Sequence, residues 1–329
     1  MTSSRMKIFL KAAALSFLCC VGWSGVHAQD FPNKPIKFIL GFGPGSATDT
    51  QARLAAQGMS AALGQPIVVE NRPGALSTLA TEAVARSKPD GYTVLVAANS
   101  GLVMAPAGLI KGVRYDPVAD FEPVGLMGQS PFVMMVDPKL PVKTVAELLA
   151  FMKKNPERRS CSFGSASARV FCELLKRKTG IDMAVVPFKS TPESSLAVMG
   201  GQVTMQFLDL ASAMLRIRSG QLRALATMEQ ERNSIIPDVP TIAEAGLKDI
   251  PLNYGWVAML APAKTPPAII ARLNAEMNAV LNKPEVRKEL EQNGSQVKTG
   301  TPADLSHYLK QDLERWKKLI PELGLQPEG

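Results

Sequence analysis

From residue 36 onward, short apolar runs alternate with amphipathic stretches. Residues 36–40 form an apolar strand that runs into Gly41-Phe42-Gly43-Pro44-Gly45. Over residues 48–63, Ala52, Leu54, Ala55, Met59 and Ala62 fall on helical spacing, which predicts a helix. Strands follow at 66–70 and 92–97. Between them lie the turns Asn71-Arg72-Pro73-Gly74 and Pro89-Asp90-Gly91, with a helix over 79–86. This β-α-β-α-β rhythm predicts an open, mainly parallel sheet.

A second alternating block begins with a strand at 132–136. Thr144 opens its first helix and is followed three residues later by Glu147, a capping-box pattern. Strands at 161–163, 183–187 and 203–207 are separated by helices, and a strand at 222–227 leads out. The remainder holds a strand at 256–260 and helices over 266–282, 284–293 and 302–319, each with proline at or near its start. The chain divides near 128–131 and again near 228–234. Residues 29–129 and 230–329 would then form one lobe and 130–229 the other. Two crossings imply a hinge and a cleft, where small ligands bind. Two sequential domains are the alternative.

The first 28 residues read as a segment outside the fold. Arg5, Lys7 and Lys11 precede an uncharged, mostly apolar run over 12–26, and Val26-His27-Ala28 places small residues before Gln29. This is the pattern of a secretory signal peptide over residues 1–28, cleaved after Ala28. The run of about 15 residues is short for a membrane span. The expected product is exported to the periplasm.

Composition then narrows the function. The chain has 329 residues, 46% hydrophobic and 20% charged, which is globular. Aromatics at 6% argue against a base-stacking surface. The formal charge of +8 shrinks once the leader's three basic residues are removed, leaving 34 basic against 29 acidic. The basic residues are scattered as Lys153-Lys154, Arg158-Arg159, Lys176-Arg177-Lys178 and the pair Arg216 and Arg218, read as solvated helix faces. No nucleic-acid partner is expected. Cleavage also removes Cys19 and Cys20, leaving Cys161 and Cys172 in an oxidising compartment. Their spacing admits either a disulfide or two buried thiols.

Catalytic chemistry is poorly provided for. His307 is the one histidine beyond the leader and lies in a charge-dense helix, so a Ser-His-Asp triad has little to draw on. No metal site and no cofactor is expected. Gly41-x-Gly43-x-x-Ser46, with Glu70 ending the next strand, approaches a dinucleotide fingerprint. Ser46 in place of the third glycine, Pro44 in the loop, and export count against that use. Helix capping or turn formation explains Asp49 and Asp90. A polar loop entering a helix instead offers backbone N–H groups and the positive end of the helix dipole to an anion. Similar turns follow other strands: Leu76-Ser77-Thr78, Asn99-Ser100, Gly164-Ser165-Ala166-Ser167 and Ser190-Thr191. Together they favour an anion-binding cleft.

The motifs in order resemble the Bug family, the extracytoplasmic solute receptors of tripartite tricarboxylate transporters. Pro44-Gly45-Ser46-Ala47-Thr48-Asp49-Thr50-Gln51-Ala52-Arg53 is similar to the family's P-G-G-x-x-D-x-x-A-R. Val69-Glu70-Asn71-Arg72-Pro73-Gly74-Ala75, Pro89-Asp90-Gly91-Tyr92-Thr93, Val186-Pro187-Phe188-Lys189, Gly200-Gly201-Gln202-Val203 and Pro237-Asp238-Val239-Pro240-Thr241 continue the series. The resemblance implies an α/β, type II periplasmic-binding-protein fold with a ligand cleft between two lobes. It implies a binding protein rather than an enzyme, acting as a monomer, that delivers a small organic acid to membrane subunits of a tripartite tricarboxylate transporter. A receptor feeding a membrane signalling partner is the alternative. Carried over by position, the contacts would be Phe42, Ser46, Ala47, Thr48, Leu76, Ser77, Asn99 and Ser100 from one lobe. The other would supply Ser130, Gly164, Ser165, Ala166, Ser167, Phe188 and Asp209. The sequence departs from the family at Gly74-Ala75-Leu76-Ser77, where G-A-G-G is usual, and at Phe207-Leu208-Asp209, where Phe-Asp is usual. Leu76 is expected to place bulk beside the ligand and so to shape its selection.

Overall fold

The computed structural model describes residues 31–248, 250 and 254–327; the leader with Cys19 and Cys20 lies outside them. The fold below belongs to the compact unit that begins at Lys34.

Its first sheet is built around β1 (Ile36–Leu40), β2 (Ile67–Asn71) and β3 (Thr93–Ala98). Helix α1 (Ala47–Leu63) follows β1, and α2 (Thr78–Ala85) follows β2. A π-helical segment, Ser100–Leu109, leaves β3. β1 pairs in parallel with both β2 and β3, as the alternating rhythm predicts. Three later strands make the sheet mixed: β4 (Phe121–Ser130), β10 (Gly255–Pro262) and the short β11 (Gln296–Val297). The strand order is β11-β4-β10-β3-β1-β2, with β10 antiparallel to β3 and β4. The expected mainly parallel sheet is thus corrected. β4 runs out of the first sheet and β10 returns to it, so neither is the product of a right-handed βαβ step.

The second sheet has the order β7-β6-β8-β5-β9. Its strands are β5 (Phe132–Val136), β6 (Ser160–Phe163), β7 (Ala184–Pro187), β8 (Met205–Asp209) and β9 (Arg223–Thr227). β6 is parallel to β7 and β8, whereas β5 is antiparallel to β8 and β9. Four helices cover it: α3 (Val145–Lys154), α4 (Ala166–Thr179), α5 (Thr191–Met199) and α6 (Leu210–Arg218). The chain ends in α7 (Pro267–Leu281), α8 (Pro284–Gln292) and α9 (Pro302–Glu322), packed in the first half of the molecule.

Each sheet has its own core. β5 is buried along its whole length. Phe132, Met134 and Val136 enter one apolar cluster with α3 and α4, and Val133 and Met135 enter another with α5 and α6. The first sheet packs with α9, whose Leu305, Leu309, Leu313 and Trp316 form its buried stripe. Helix α4 serves both cores, sending Phe171 and Cys172 into the second lobe's cluster and Ala166 and Val170 into the first lobe's.

Local sequence sets the helix starts. Ser46, Thr144, Ser165, Ser190, Asp209 and Thr301 are all N-caps whose side chains accept an amide from the third helical position. At Thr144 the expected box is modified: Glu147 reaches the Lys143 amide rather than that of Thr144. Several basic residues read as solvated are employed instead. Arg158 donates to the Gly201 carbonyl, and Arg159 to those of Met152 and Lys153.

Candidate functional site

The loops that leave β1 and β3 face the starts of α4, α5 and α6 around one cavity. From the first lobe it is lined by Phe42, Ser46, Ala47, Thr48 and Gln51, and by Ala98, Asn99 and Ser100. Ser130, Phe132, Ser165, Thr191 and Asp209 line the opposite side, and Gly255, Trp256 and Val257 of β10 form the floor. The volume open to the centres of water-sized molecules is about 40 Å³. That is room for a few waters.

Hydrogen bonds join the two lobes. Ala47 N donates to Ser212 Oγ at 2.9 Å, and Ala166 N donates to Ser100 Oγ at 3.0 Å. Each lobe therefore caps the first amide of a helix in the other. Asn99 Nδ2 lies 3.4 Å from Ser167 Oγ. On the flanks, the Arg169 guanidinium donates to the carbonyls of Leu109 and Gln326, and Arg218 to that of Gln292.

The family-like motif residues act as a scaffold for the first loop. Asp49 accepts the Gly45 amide at 2.9 Å, the Arg53 guanidinium, and Asn71 Nδ2 at 2.9 Å. Asn71 also donates to the Phe42 carbonyl at 2.8 Å. Burial would push the Asp49 carboxyl up, but Arg53, the Gly45 amide and Asn71 outweigh it and hold the carboxyl below its ordinary range.

Four helix N-termini, those of α1, α4, α5 and α6, meet at the cavity. Their dipoles make it favourable to negative charge. No lysine, arginine or histidine among the described residues lines it; Asp209 is the one ionisable side chain there. Burial pushes the Asp209 carboxyl up, opposed by the Ser212 amide and by Arg216. Among the described residues no group of three or more His, Cys, Asp or Glu is arranged to hold a metal ion.

The residues expected from sequence divide. Phe42, Ser46, Ala47, Thr48, Asn99, Ser100, Ser130, Ser165 and Asp209 line the cavity. Leu76 instead packs against the apolar clusters of both lobes. Ser77 is buried in the turn, its side chain wedged against Gly41 and Gly101, where an added Cβ would clash with it. Gly164 permits a close approach of two loops, since a Cβ there would lie 2.3 Å from the Ser190 carbonyl carbon. Ala166 belongs to the first lobe's apolar cluster, Ser167 contacts Met104 Sδ, and Phe188 packs on the far cluster of the second lobe. Sequence reasoning passed over Gln51, Ala98, Phe132, Gly255, Trp256 and Val257 as lining residues. It read the Ser190-Thr191 turn without placing Thr191 at the site. The strands of Phe132 and Trp256 were legible, but which of their positions open on a cleft depends on the other lobe.

Cys161 and Cys172 form a disulfide, with Cα atoms 5.8 Å apart. The bond joins β6 to α4 on either side of the loop that carries Ser165.

A two-lobed α/β fold closing on a small cavity defines the periplasmic-binding-protein class. The family model described as tripartite tricarboxylate transporter family receptor (TctC) matches residues 51–325. This chain belongs to that family of periplasmic solute-binding receptors. It is 32% identical to Protein BugT of Bordetella pertussis over 301 residues, covering 91% of this chain and 92% of that protein. It superposes on periplasmic binding protein BugD with a TM-score of 0.85 at 30% identity, over 91% of this chain and all of the other. MatC from Rhodopseudomonas palustris, solved with bound malate, matches with a TM-score of 0.82 at 32% identity, over 88% of this chain and all of that one.

Proposed function

We propose that the protein captures a small organic acid in the cavity between its lobes and delivers it to membrane subunits of a tripartite tricarboxylate transporter. The observation that carries this reading is the meeting of four helix N-termini at a cavity lined by no cationic side chain among the described residues. Such a site takes a carboxylate through backbone amides and hydroxyls. The malate bound to MatC is a ligand of the same chemical class. The contacts on this reading are Phe42, Ser46, Ala47, Thr48, Asn99, Ser100, Ser130, Ser165 and Asp209, joined by Thr191 and Gln51.

The lobes on this reading are 29–129 with 230–329, and 130–229. Sheet membership supports the division: strands between Ile36 and Ser130 and from Gly255 onward share one sheet, and those between Phe132 and Thr227 share the other. Residues 1–28 direct export, and the mature chain works as a monomer in the periplasm. Among the described residues no helix is long and apolar enough to cross a membrane.

The test is a thermal-shift screen of the exported protein against carboxylates, acidic amino acids and aromatic acids. A ligand present at 1,000 times its Kd stabilises the native state by about 4 kcal/mol. A large shift with one acid class is the expected result. No shift with any acid, after bound ligand has been removed by unfolding and refolding, would overturn the reading.

A further inference from the structure

We propose that Asp209 makes the cavity select acids that carry a hydrogen-bond donor, a hydroxyl or an ammonium, at the end remote from the captured carboxylate, and reject a second carboxylate there. The inference rests on the acid-capture reading above and names the ligand class within it.

The argument starts from the donors at the α6 side of the cavity. A helix start offers an anion its first amides, yet those of α6 are all engaged. Leu210 N donates to the Pro131 carbonyl at 2.8 Å, Ala211 N to Ser130 Oγ at 3.1 Å, and Ser212 N to Asp209 Oδ1 at 2.8 Å. The Ser130 hydroxyl spends its own proton on the Gly294 carbonyl, 2.9 Å away. What this wall presents to the cavity is the Asp209 carboxylate, which can accept several hydrogen bonds and already takes those of the Ser212 amide, the Ser212 hydroxyl and its own amide.

No cationic side chain among the described residues lines the cavity to offset a second negative charge. Arg216, further along α6, does not line the cavity and donates to the Ser212 carbonyl at 2.9 Å. A carboxylate brought against Asp209 would meet like charge at low local dielectric. A hydroxyl or ammonium there would make a charge-assisted hydrogen bond. Burial pushes the Asp209 carboxyl up, and a hydroxyl or ammonium placed against it would favour its ionised form.

The test uses two series that differ only at the far end. One is butyrate, 4-hydroxybutyrate, 4-aminobutyrate and succinate; the other is propanoate, 3-hydroxypropanoate, β-alanine and malonate. Binding is measured by calorimetry to the wild type and to Asp209→Asn. Asparagine caps a helix as well as aspartate does, so α6 keeps its start. Unfolding without any added acid checks that the variant folds. In the series that fits the cavity, the hydroxy or amino acid should bind the wild type about tenfold or more tightly than its methyl-ended counterpart, with the diacid weakest. In Asp209→Asn the ammonium advantage should fall about tenfold and the diacid should gain. Diacids that bind the wild type as tightly as the hydroxy and amino acids, or an order that Asp209→Asn leaves unchanged, would overturn the inference while leaving acid capture intact. Failure of every compound in both series, together with failure of the wider screen, would overturn acid capture itself and this inference with it.

Discussion

Ser100 and Ala166 belong to opposite lobes, and the Ser100 hydroxyl accepts the Ala166 amide at 3.0 Å. Ala47 and Ser212 repeat the arrangement in the reverse sense at 2.9 Å. A helix start needs a partner for its first amide. Here each lobe supplies that partner for the other, so the closed arrangement is written into helix capping itself. Closure and ligand capture then draw on the same helix ends.

Ser212 does not itself line the cavity, so its replacement tests the contact between the lobes. Ser212→Ala removes the acceptor of the Ala47 amide, about 0.5–1.5 kcal/mol, together with the hydroxyl's bond to Asp209. The expected result is a roughly two- to tenfold loss of affinity for every acid. Small-angle scattering should show a larger radius of gyration for the variant. Unchanged affinity and scattering would show that the contact does not hold the lobes.

Leu76 tests a departure from the family pattern. Ala75, Leu76 and Ser77 follow one another with φ of 45°, 51° and 80°, a left-handed stretch where the family usually has glycines at the last two positions. Left-handed geometry costs a non-glycine residue roughly 1–2 kcal/mol. Leu76 offsets this by packing against the clusters of both lobes. Leu76→Ala keeps the strain and loses the packing, whereas Leu76→Gly loses both. The alanine variant should therefore be the less stable of the two in urea, the reverse of the usual ranking. Because Leu76 stands apart from the cavity, neither change should alter which acid binds best. The sequence leads to the opposite expectation, that its bulk shapes the ligand. A glycine variant with a new ligand preference would restore that expectation.

Asp49 should make stability fall in acid. Its carboxyl is held below the ordinary range in the folded chain, so the unfolded chain takes up a proton first as pH drops. The contribution is complete above about pH 4 and is lost as pH falls through the lowered folded value. Asp49→Asn should lose about 2 kcal/mol at pH 7, since it ends charge-assisted bonds to Arg53 and the Gly45 amide. The difference from wild type should shrink toward pH 3. Urea midpoints for both proteins across that range are the measurement, and parallel curves would refute the assignment.

The disulfide makes a chemical prediction. The exported protein should show no reactive thiol on unfolding without reductant. Reduction should cost about 3 kcal/mol by the chain-entropy argument for a loop of this size. Two thiols titrating in the unreduced, unfolded chain would contradict the bond.

Much of this was legible in the sequence because it is local. The strand at Phe132–Val136 is a continuous apolar run, and Thr144 announces the helix it caps. β4 was not legible. Pro123, Gly125 and Gly128 interrupt its pattern, and its pairing with β10 shifts register twice. The π-helical segment after Ser100 carries Pro106 inside it and has no clear period. At the site, the polar loops gave Ser46, Asn99 and Ser165. Trp256 and Gln51 sit on elements whose cavity-facing side is set by the opposing lobe, and no local pattern records that.

The most direct test of acid capture is the position of the ligand in a crystal grown with the acid that stabilises the protein most. The account predicts its carboxylate in the cavity, about 3 Å from the Thr48 amide and the Asn99–Ser100 turn, with no lysine or arginine side chain touching it. A carboxylate held elsewhere on the protein, or held by a cationic side chain, would contradict it.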